Sequence, residues 1–89
     1  MRNTYRTILK KYLHERILSD RLKNGLVQEE MAERLQIDWR SYIDLEHGKN
    51  LCSTTTFIMY LLEFCDDPSE VLSEIRALFE KALEEEDER

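Results

Sequence analysis

Apolar residues recur along the chain at spacings of three and four, and this pattern divides it into five segments. The first segment runs from about Thr4 to Asn24 and stops before Gly25. Its apolar positions are Tyr5, Ile8, Leu9, Tyr12, Leu13, Ile17 and Leu18. Such spacings place side chains on one face of an α-helix. The chain has one Pro and two Gly, and no stretch alternates as a half-buried strand would. The pattern therefore predicts an all-α protein.

Two short helices follow the first. A second helix spans Val27 to Leu35, and Gln36-Ile37 makes a tight turn after it. Asp38 is a good N-cap for a third helix, which ends near Glu46 and before a glycine. A short helical pair joined by three or four residues is typical of a helix-turn-helix unit.

The last two helices have equally clear starts. Ser53 or Thr54 caps a fourth helix, whose apolar positions are Phe57, Ile58, Leu61, Leu62 and Phe64. Asp67-Pro68 opens a fifth helix, because proline is favoured at the first helical position. Its apolar stripe is Val71, Leu72, Ile75, Leu78, Phe79, Ala82 and Leu83. We therefore expect five helices.

Length and charge narrow the class of protein. The chain has 89 residues, of which 42% are hydrophobic. Residues 1–89 are therefore expected to form a single domain, and its small core leaves little room for a deep enzyme pocket. The net charge of −6 is unevenly distributed. Residues 1–26 carry seven Lys/Arg against two acidic residues, whereas residues 51–89 carry three against eleven. A binding module with a basic N-terminal part is the class that these features favour.

Chemistry-bearing residues are sparse. Cys52 and Cys65 have no CxxC partner and no His at ligand spacing, so we expect buried, reduced thiols and no metal site. His14 and His47 are isolated and are expected on the surface. No nucleophile–base pair, cofactor motif or small-molecule effector site is predicted, so the chain is expected not to be an enzyme. The longest apolar run, 57–62, is too short for a membrane span, and a cytoplasmic protein is expected.

Two stretches carry a family resemblance. Residues 25–35 read GLVQEEMAERL and residues 37–49 read IDWRSYIDLEHGK. They resemble the patterns G-L-T-Q-E-E-L-A-x-x-L and I-S-x-S-x-I-S-x-x-E-x-G-K of Xre-type, phage-repressor and Cro-like DNA-binding domains, over about 50 of the 89 residues. The resemblance implies a five-helix repressor-like domain with a core at about 13–72 and a helix-turn-helix at about 27–46. Residues 1–12 and 73–89 would then lengthen the first and last helices.

The resemblance also implies a function and a set of functional residues. It implies a sequence-specific DNA-binding transcriptional regulator that binds double-stranded DNA, with a homodimer as the expected form. Arg21 and Glu46 would form a structural ion pair. Gly48 and Lys49 would offer backbone amides and an ammonium to a phosphate strand. The residues implied at the DNA are Gln28, Trp39, Arg40, Ser41, Asp44, Lys49 and Asn50.

Several residues keep a second interpretation open. Arg40 suits guanine O6 and N7, whereas Asp44 can accept only from cytosine N4 and repels phosphate. Trp39 does not follow the donor–acceptor code and could instead fold back onto the fourth helix as a core residue. Tyr42 should face inward and Ile43 outward, and Asp44 could pair with Arg40 one turn before it. The alternative function is a helix-turn-helix scaffold for protein–protein interaction with little or no DNA binding.

The two helical extensions leave apolar stripes that need cover. They can pack on each other within one chain, with basic residues of the first helix against acidic residues of the fifth, or they can form a two-fold dimer interface. We expect both at once: the termini form a helical platform, and part of it dimerises. The expected charge partners are Arg6, Lys10 and Lys11 against Glu80, Glu84 and Glu85.

Overall fold

The computed structural model describes the backbone of residues 2–87 and the side chains of residues 4–86. Within residues 2–87 there are five helices and no strand: α1 (Arg2–Lys23), α2 (Gln28–Arg34), α3 (Trp39–Glu46), α4 (Thr54–Phe64) and α5 (Pro68–Asp87). The predicted all-α class and the five helices are confirmed, with helix ends within two residues of those expected. Of the predicted extensions, Met1 and 88–89 lie outside the described residues.

Helices α1, α2 and α3 all end in the same hydrogen-bonded turn. In each, the residue after the C-cap has a positive φ: 66° at Gly25, 62° at Gln36 and 74° at Gly48. After α2, for example, the Gln36 amide donates to the Glu33 carbonyl at 3.1 Å and the next amide donates to the Ala32 carbonyl at 3.1 Å. This is the Schellman motif, in which glycine is the usual residue. Gln36 therefore adopts a left-handed conformation that is costly for a residue with a side chain.

The predicted N-caps of α3 and α4 are present. The Asp38 carboxylate accepts from the Ser41 backbone amide at 3.0 Å and from its hydroxyl at 2.7 Å. The Ser53 hydroxyl accepts from the Thr56 amide at 3.2 Å. At α2, Val27 provides no side-chain cap, but its amide donates to the Glu30 carboxylate at 2.9 Å. These bonds satisfy amide donors that the first turn of a helix would otherwise leave free.

One hydrophobic core joins the five helices. Helix α1 packs against α3 and α5, and α2 packs against α3. The buried cluster consists of Leu13, Ile17, Met31, Ala32, Leu35, Tyr42, Leu45, Tyr60, Leu61 and Val71. Tyr42 is fully buried, which confirms its predicted inward position on α3. Because α1 contributes to this core and also touches both α3 and α5, it is the element that links the α2–α3 pair to the C-terminal helix.

A polar network centred on Arg16 fastens α5 to α1 and α4. The Arg16 guanidinium donates to the Tyr60 hydroxyl at 3.0 Å and to a Glu74 carboxylate oxygen at 2.8 Å. The Tyr12 hydroxyl donates to the same carboxylate, and the Tyr60 hydroxyl donates to Asp20. Burial, together with the hydrogen bond to Glu74, raises the pKa of Tyr12 to about 12. The sequence pattern had suggested only an apolar role for Tyr12.

Arg16 of α1 pairs with Glu74 of α5, but the expected pairing of Arg6, Lys10 and Lys11 with acids of α5 is wrong. Within residues 4–86 the ion pairs involve Arg16 and Arg21, and none joins Arg6, Lys10 or Lys11 to an acid of α5. In this half of the molecule the two helices meet through apolar side chains, with the rings of Tyr5 and Phe79 4.8 Å apart. The charged residues are consequently left on the flanks of the contact.

The cysteines are free, as expected, but half-buried rather than buried. Burial raises the pKa of Cys52 and also that of Cys65, so both favour the neutral thiol. No helix within residues 2–87 has the combination of length and hydropathy that crossing a membrane requires.

Candidate nucleic-acid interface

Helix α3 has a buried side and an open side. Tyr42, Leu45 and Glu46 are buried, whereas Trp39 and Arg40 in the first turn are exposed. The exposed fraction of Trp39 is 50%, so the possibility that it folds back into the core is wrong. An indole half open to solvent at the start of a short helix is available to a macromolecular partner.

The open side of α3 continues for two turns beyond Arg40. Helical spacing of three and four puts Ile43, Asp44 and His47 on the same face as Arg40. Ile43 and Asp44 are half-buried and His47 is exposed. Within residues 4–86, no ion pair involves Arg40, so the alternative in which Asp44 pairs with Arg40 is not found. His47 was expected to be an isolated surface residue. Its helical spacing from Arg40 is the sequence feature that indicates a shared face.

An ion pair behind α3 ties it to α1. The Arg21 Nε and Nη2 atoms donate to the two carboxylate oxygens of Glu46, each at 2.9 Å. The side chains are 16% and 5% exposed. Burial alone would raise the pKa of Glu46, but the hydrogen bonds from Arg21, with Tyr42 and Gln28 nearby, outweigh it and hold this pKa below its ordinary value. The structure thus brings together the two residues that the resemblance pairs, and it fixes the end of α3 opposite the open face.

Tyr42 and Gln28 complete the surroundings of this ion pair. The Tyr42 hydroxyl is buried beside it, makes no hydrogen bond of regular geometry among the described residues, and burial raises its pKa. The Gln28 side-chain amide lies 3.5 Å from a Glu46 carboxylate oxygen. Gln28 is half-buried, so its amide is turned toward the protein rather than held free for phosphate. Contact between Gln28 and a polyanion would require a different rotamer.

The backbone amides expected to grip phosphate after α3 are already used. The Gly48 amide donates to the Leu45 carbonyl at 3.1 Å, and the Lys49 amide donates to the Asp44 carbonyl at 2.9 Å. These bonds are the Schellman cap of α3, which any chain ending a helix with a left-handed residue tends to form. The expectation that both amides bind phosphate is therefore wrong. The exposed Lys49 ammonium remains available.

Ser41 and Asn50 lie at one cleft beside α3. They share a cavity of about 280 Å³ whose other lining residues include Leu45 and Cys52. The Ser41 hydroxyl donates to Asp38, as described for the N-cap, so its first role is to start the helix. Asn50 is exposed. The structure thus brings these two predicted residues together on the side of α3 next to the loop before α4.

His14 contacts the end of α3 and was missed by sequence reasoning. Its Nδ1 atom lies 3.1 Å from the Glu46 carbonyl oxygen. A carbonyl can only accept, so the ring must carry a proton on Nδ1 to make this bond. A Cβ atom added to Gly48 would lie 2.9 Å from His14 Cδ2, which shows how closely the ring covers the turn. The expected surface position of His14 is wrong, and no local pattern in α1 indicates this long-range contact.

Few cations lie on the α2–α3 half of the chain. Residues 27–50 contain three of them, and the guanidinium of one, Arg34, lies 5.9 Å from the ring centre of Phe64 on α4. Arg40 and Lys49 are the other two. Contact with a polyanion therefore depends on very few charges. Within the described part of the chain, no group of three or more metal-ligating side chains is close enough to hold a metal ion. Comparison of the chain with protein-family models, curated proteins and solved structures found no match.

Proposed function

We propose that this protein is a sequence-specific DNA-binding transcriptional regulator of Xre type, with α2 and α3 forming its helix-turn-helix. The observation that supports this most is the geometry of α3. Its first turn presents Arg40 and Trp39 to solvent, while the opposite side is buried and locked to α1 by the Arg21–Glu46 ion pair. A recognition element has to be exposed and rigid at once, and α3 has both properties.

In this proposal α3 enters the major groove. Its eight residues span roughly 12 Å, which fits a groove about 12 Å wide. Arg40 makes a bidentate contact to guanine O6 and N7, and Asp44 accepts from cytosine N4 one helical turn further. Lys49, beyond the end of α3, contacts a backbone phosphate and fixes the orientation without reading sequence. Ser41 and Asn50 lie beside these contacts, at the wall of the DNA major groove.

We also propose that the chain binds DNA as a homodimer. A dimer places two copies of α3 about one DNA turn, roughly 34 Å, apart and so reads a pseudo-palindromic site. Single domains with few cationic contacts bind weakly, because phosphate contacts supply most of the affinity. Two copies double the number of contacts from Arg40 and Lys49.

The test is binding to a pool of genomic fragments at several salt concentrations. We expect retention at low salt and a shallow dependence of log affinity on log salt, because each copy contributes few cations. Arg40→Ala should lower the affinity for selected sites by roughly 5- to 150-fold and abolish their enrichment. Lys81→Ala, which removes an exposed charge from α5, is the matched control and should leave enrichment intact. Failure to retain any fragment at low salt would refute DNA binding.

A second candidate function is protein–protein interaction through the same face of α3. The specific observation in its favour is a mixed apolar and acidic surface on α3: Trp39 is 50% exposed, and Ile43 and Asp44 are half-buried one turn further along the helix. Exposed aromatic residues of this kind are enriched at protein interfaces. If Asp44→Asn strengthens DNA binding, the carboxylate opposes phosphate and makes no base contact. If the wild-type chain binds no DNA and Asp44→Asn does not create binding, this second function gains support.

A further inference from the structure

A concave apolar face where α1 and α5 meet is a feature that the proposed DNA contacts do not use. It contains a cavity of about 310 Å³. Leu9 and Leu13 of α1 and Leu72, Ile75 and Phe79 of α5 line it on two sides, and residues 51–54 and Phe57, from the loop before α4 and from α4, line the rest. Leu83 lies one turn beyond Phe79 on the same side of α5. The exposed fractions of Leu72 and Leu83 are 52% and 46%, so the apolar surface runs along most of α5. We name these residues the α1–α5 groove.

Opposite charges flank the α1–α5 groove on its two sides. Arg6 and Lys10 lie on α1, three residues before Leu9 and Leu13, and therefore near the same helix face. Glu80 and Glu84 lie on α5, each next in sequence to an apolar residue of the groove, and Arg76 lies one turn before Glu80. Within residues 4–86, none of these five residues forms an ion pair. The two cations of α1 and the two carboxylates of α5 are therefore available to a partner, with Arg76 as a single cation on the α5 side.

We propose that the α1–α5 groove is a homodimer interface in which a second copy of this chain binds by two-fold symmetry. A two-fold axis through the groove places the α1 flank of one copy opposite the α5 flank of the other. Arg6 and Lys10 of each copy then face Glu80 and Glu84 of its partner, while Leu72 and Leu83 are covered. This interface is self-complementary, which is the condition for a closed dimer. The proposal rests on the homodimer part of the proposed function and assigns its interface.

The face is about half the size of a standard interface, so the flanking charges are needed for a stable dimer. From Leu72 to Glu84 the groove extends over roughly 20 Å of α5, and two packed helices are about 20 Å wide, which gives a footprint of roughly 400 Å² before side-chain relief is included. Standard interfaces bury about 800 Å² per partner. Ile58 and Leu62 on α4 form another exposed apolar patch within residues 4–86, and they line neither this cavity nor the one beside α3.

The first test measures mass in solution without DNA, so that its outcome is independent of DNA binding. Light scattering after size exclusion should give twice the chain mass of 10.7 kDa. The double variant L72K/L83K should give a monomer with an unchanged helical spectrum, because both positions are about half exposed in one chain. Leu62→Lys, at a position that is 70% exposed on α4, is the matched control and should remain dimeric. A monomeric wild type, or a dimer lost in the control and kept in L72K/L83K, would overturn the proposal.

Charge reversal provides the second test. R6E/K10E places like charges across the interface, as does E80K/E84K, so each variant alone should show a dissociation constant raised at least about tenfold. Mixed together, the two variants again bring opposite charges face to face on both sides of the two-fold axis. We expect a heterodimer of the two variants by native mass spectrometry. Two variants that dimerise as well alone as mixed would show that these charges do not face each other.

Discussion

Replacing Glu46 by alanine tests the scaffold on which α3 is held. The substitution leaves the Arg21 guanidinium without the carboxylate that accepts two of its donors at 2.9 Å. Removing one partner of a buried ion pair costs roughly 3–5 kcal/mol. Arg21 is 16% exposed and keeps a hydrogen bond from Nη1 to the Leu26 carbonyl at 3.0 Å, so we expect the lower end of that range, about 3 kcal/mol.

A loss of this size is large for a small domain. Total stabilities are about 5–15 kcal/mol, and each kcal/mol moves the melting temperature of a 60–100-residue domain by about 4–8 °C. We therefore expect Glu46→Ala to melt roughly 12–24 °C below the wild type, measured by circular dichroism during heating and by urea unfolding. Glu63→Ala removes an exposed glutamate from α4 and should change the free energy of unfolding by less than about 0.5 kcal/mol.

Acid unfolding gives an independent measure of the same pair. The pKa of Glu46 is lowered in the folded protein, so its stabilising contribution is complete above the ordinary pKa of 4.5 and is lost as the pH falls through the lowered value. Glu46→Gln should therefore flatten the stability profile in this acidic range. If Glu46→Ala melts with the wild type, the ion pair does not hold α3 and the rigidity argument for its function is refuted.

Three further predictions concern the turns and the half-buried Tyr12. Gln36→Gly should raise the free energy of unfolding by about 1 kcal/mol in urea titrations, because glycine removes the cost of a positive φ; no gain would mean that the turn is not left-handed. Gly48→Ala should destabilise the fold more than Gly25→Ala, because a Cβ added at Gly48 lies 2.9 Å from His14 whereas one added at Gly25 meets nothing within 4 Å. In a double-mutant cycle, His14→Ala should remove this difference in the free energy of unfolding. An unchanged difference would exclude the contact. Tyr12, with its pKa raised to about 12, contributes stability below its ordinary pKa of 10.0, and this stability is lost as the pH rises through 12. Tyr12→Phe should therefore shrink this alkaline loss of stability, and the tyrosinate absorbance that the variant lacks should belong to a group titrating near pH 12. If the missing absorbance titrates near pH 10 instead, the prediction is contradicted.

Local signals in the sequence determined the helices and their ends. The spacing of apolar residues, the caps Asp38 and Ser53 and the glycines at 25 and 48 each act within a few residues, so the sequence alone placed five helices correctly. The inward position of Tyr42 on α3 followed from the family resemblance, and the structure places Tyr42 and Leu45 together in the core. The pairing of Arg21 with Glu46 depended on the family resemblance, because 25 residues separate the two.

Contacts between distant residues were decided by the tertiary structure. The bonds of Arg16 to Tyr60 and Glu74 span 44 and 58 residues, and nothing near any of the three indicates them. The orientation of Gln28 toward Glu46 and the cover of Gly48 by His14 likewise depend on how α1 approaches the α2–α3 pair. Local preferences fix the backbone over a few residues. The partner of a polar side chain depends instead on which helices the buried core brings together.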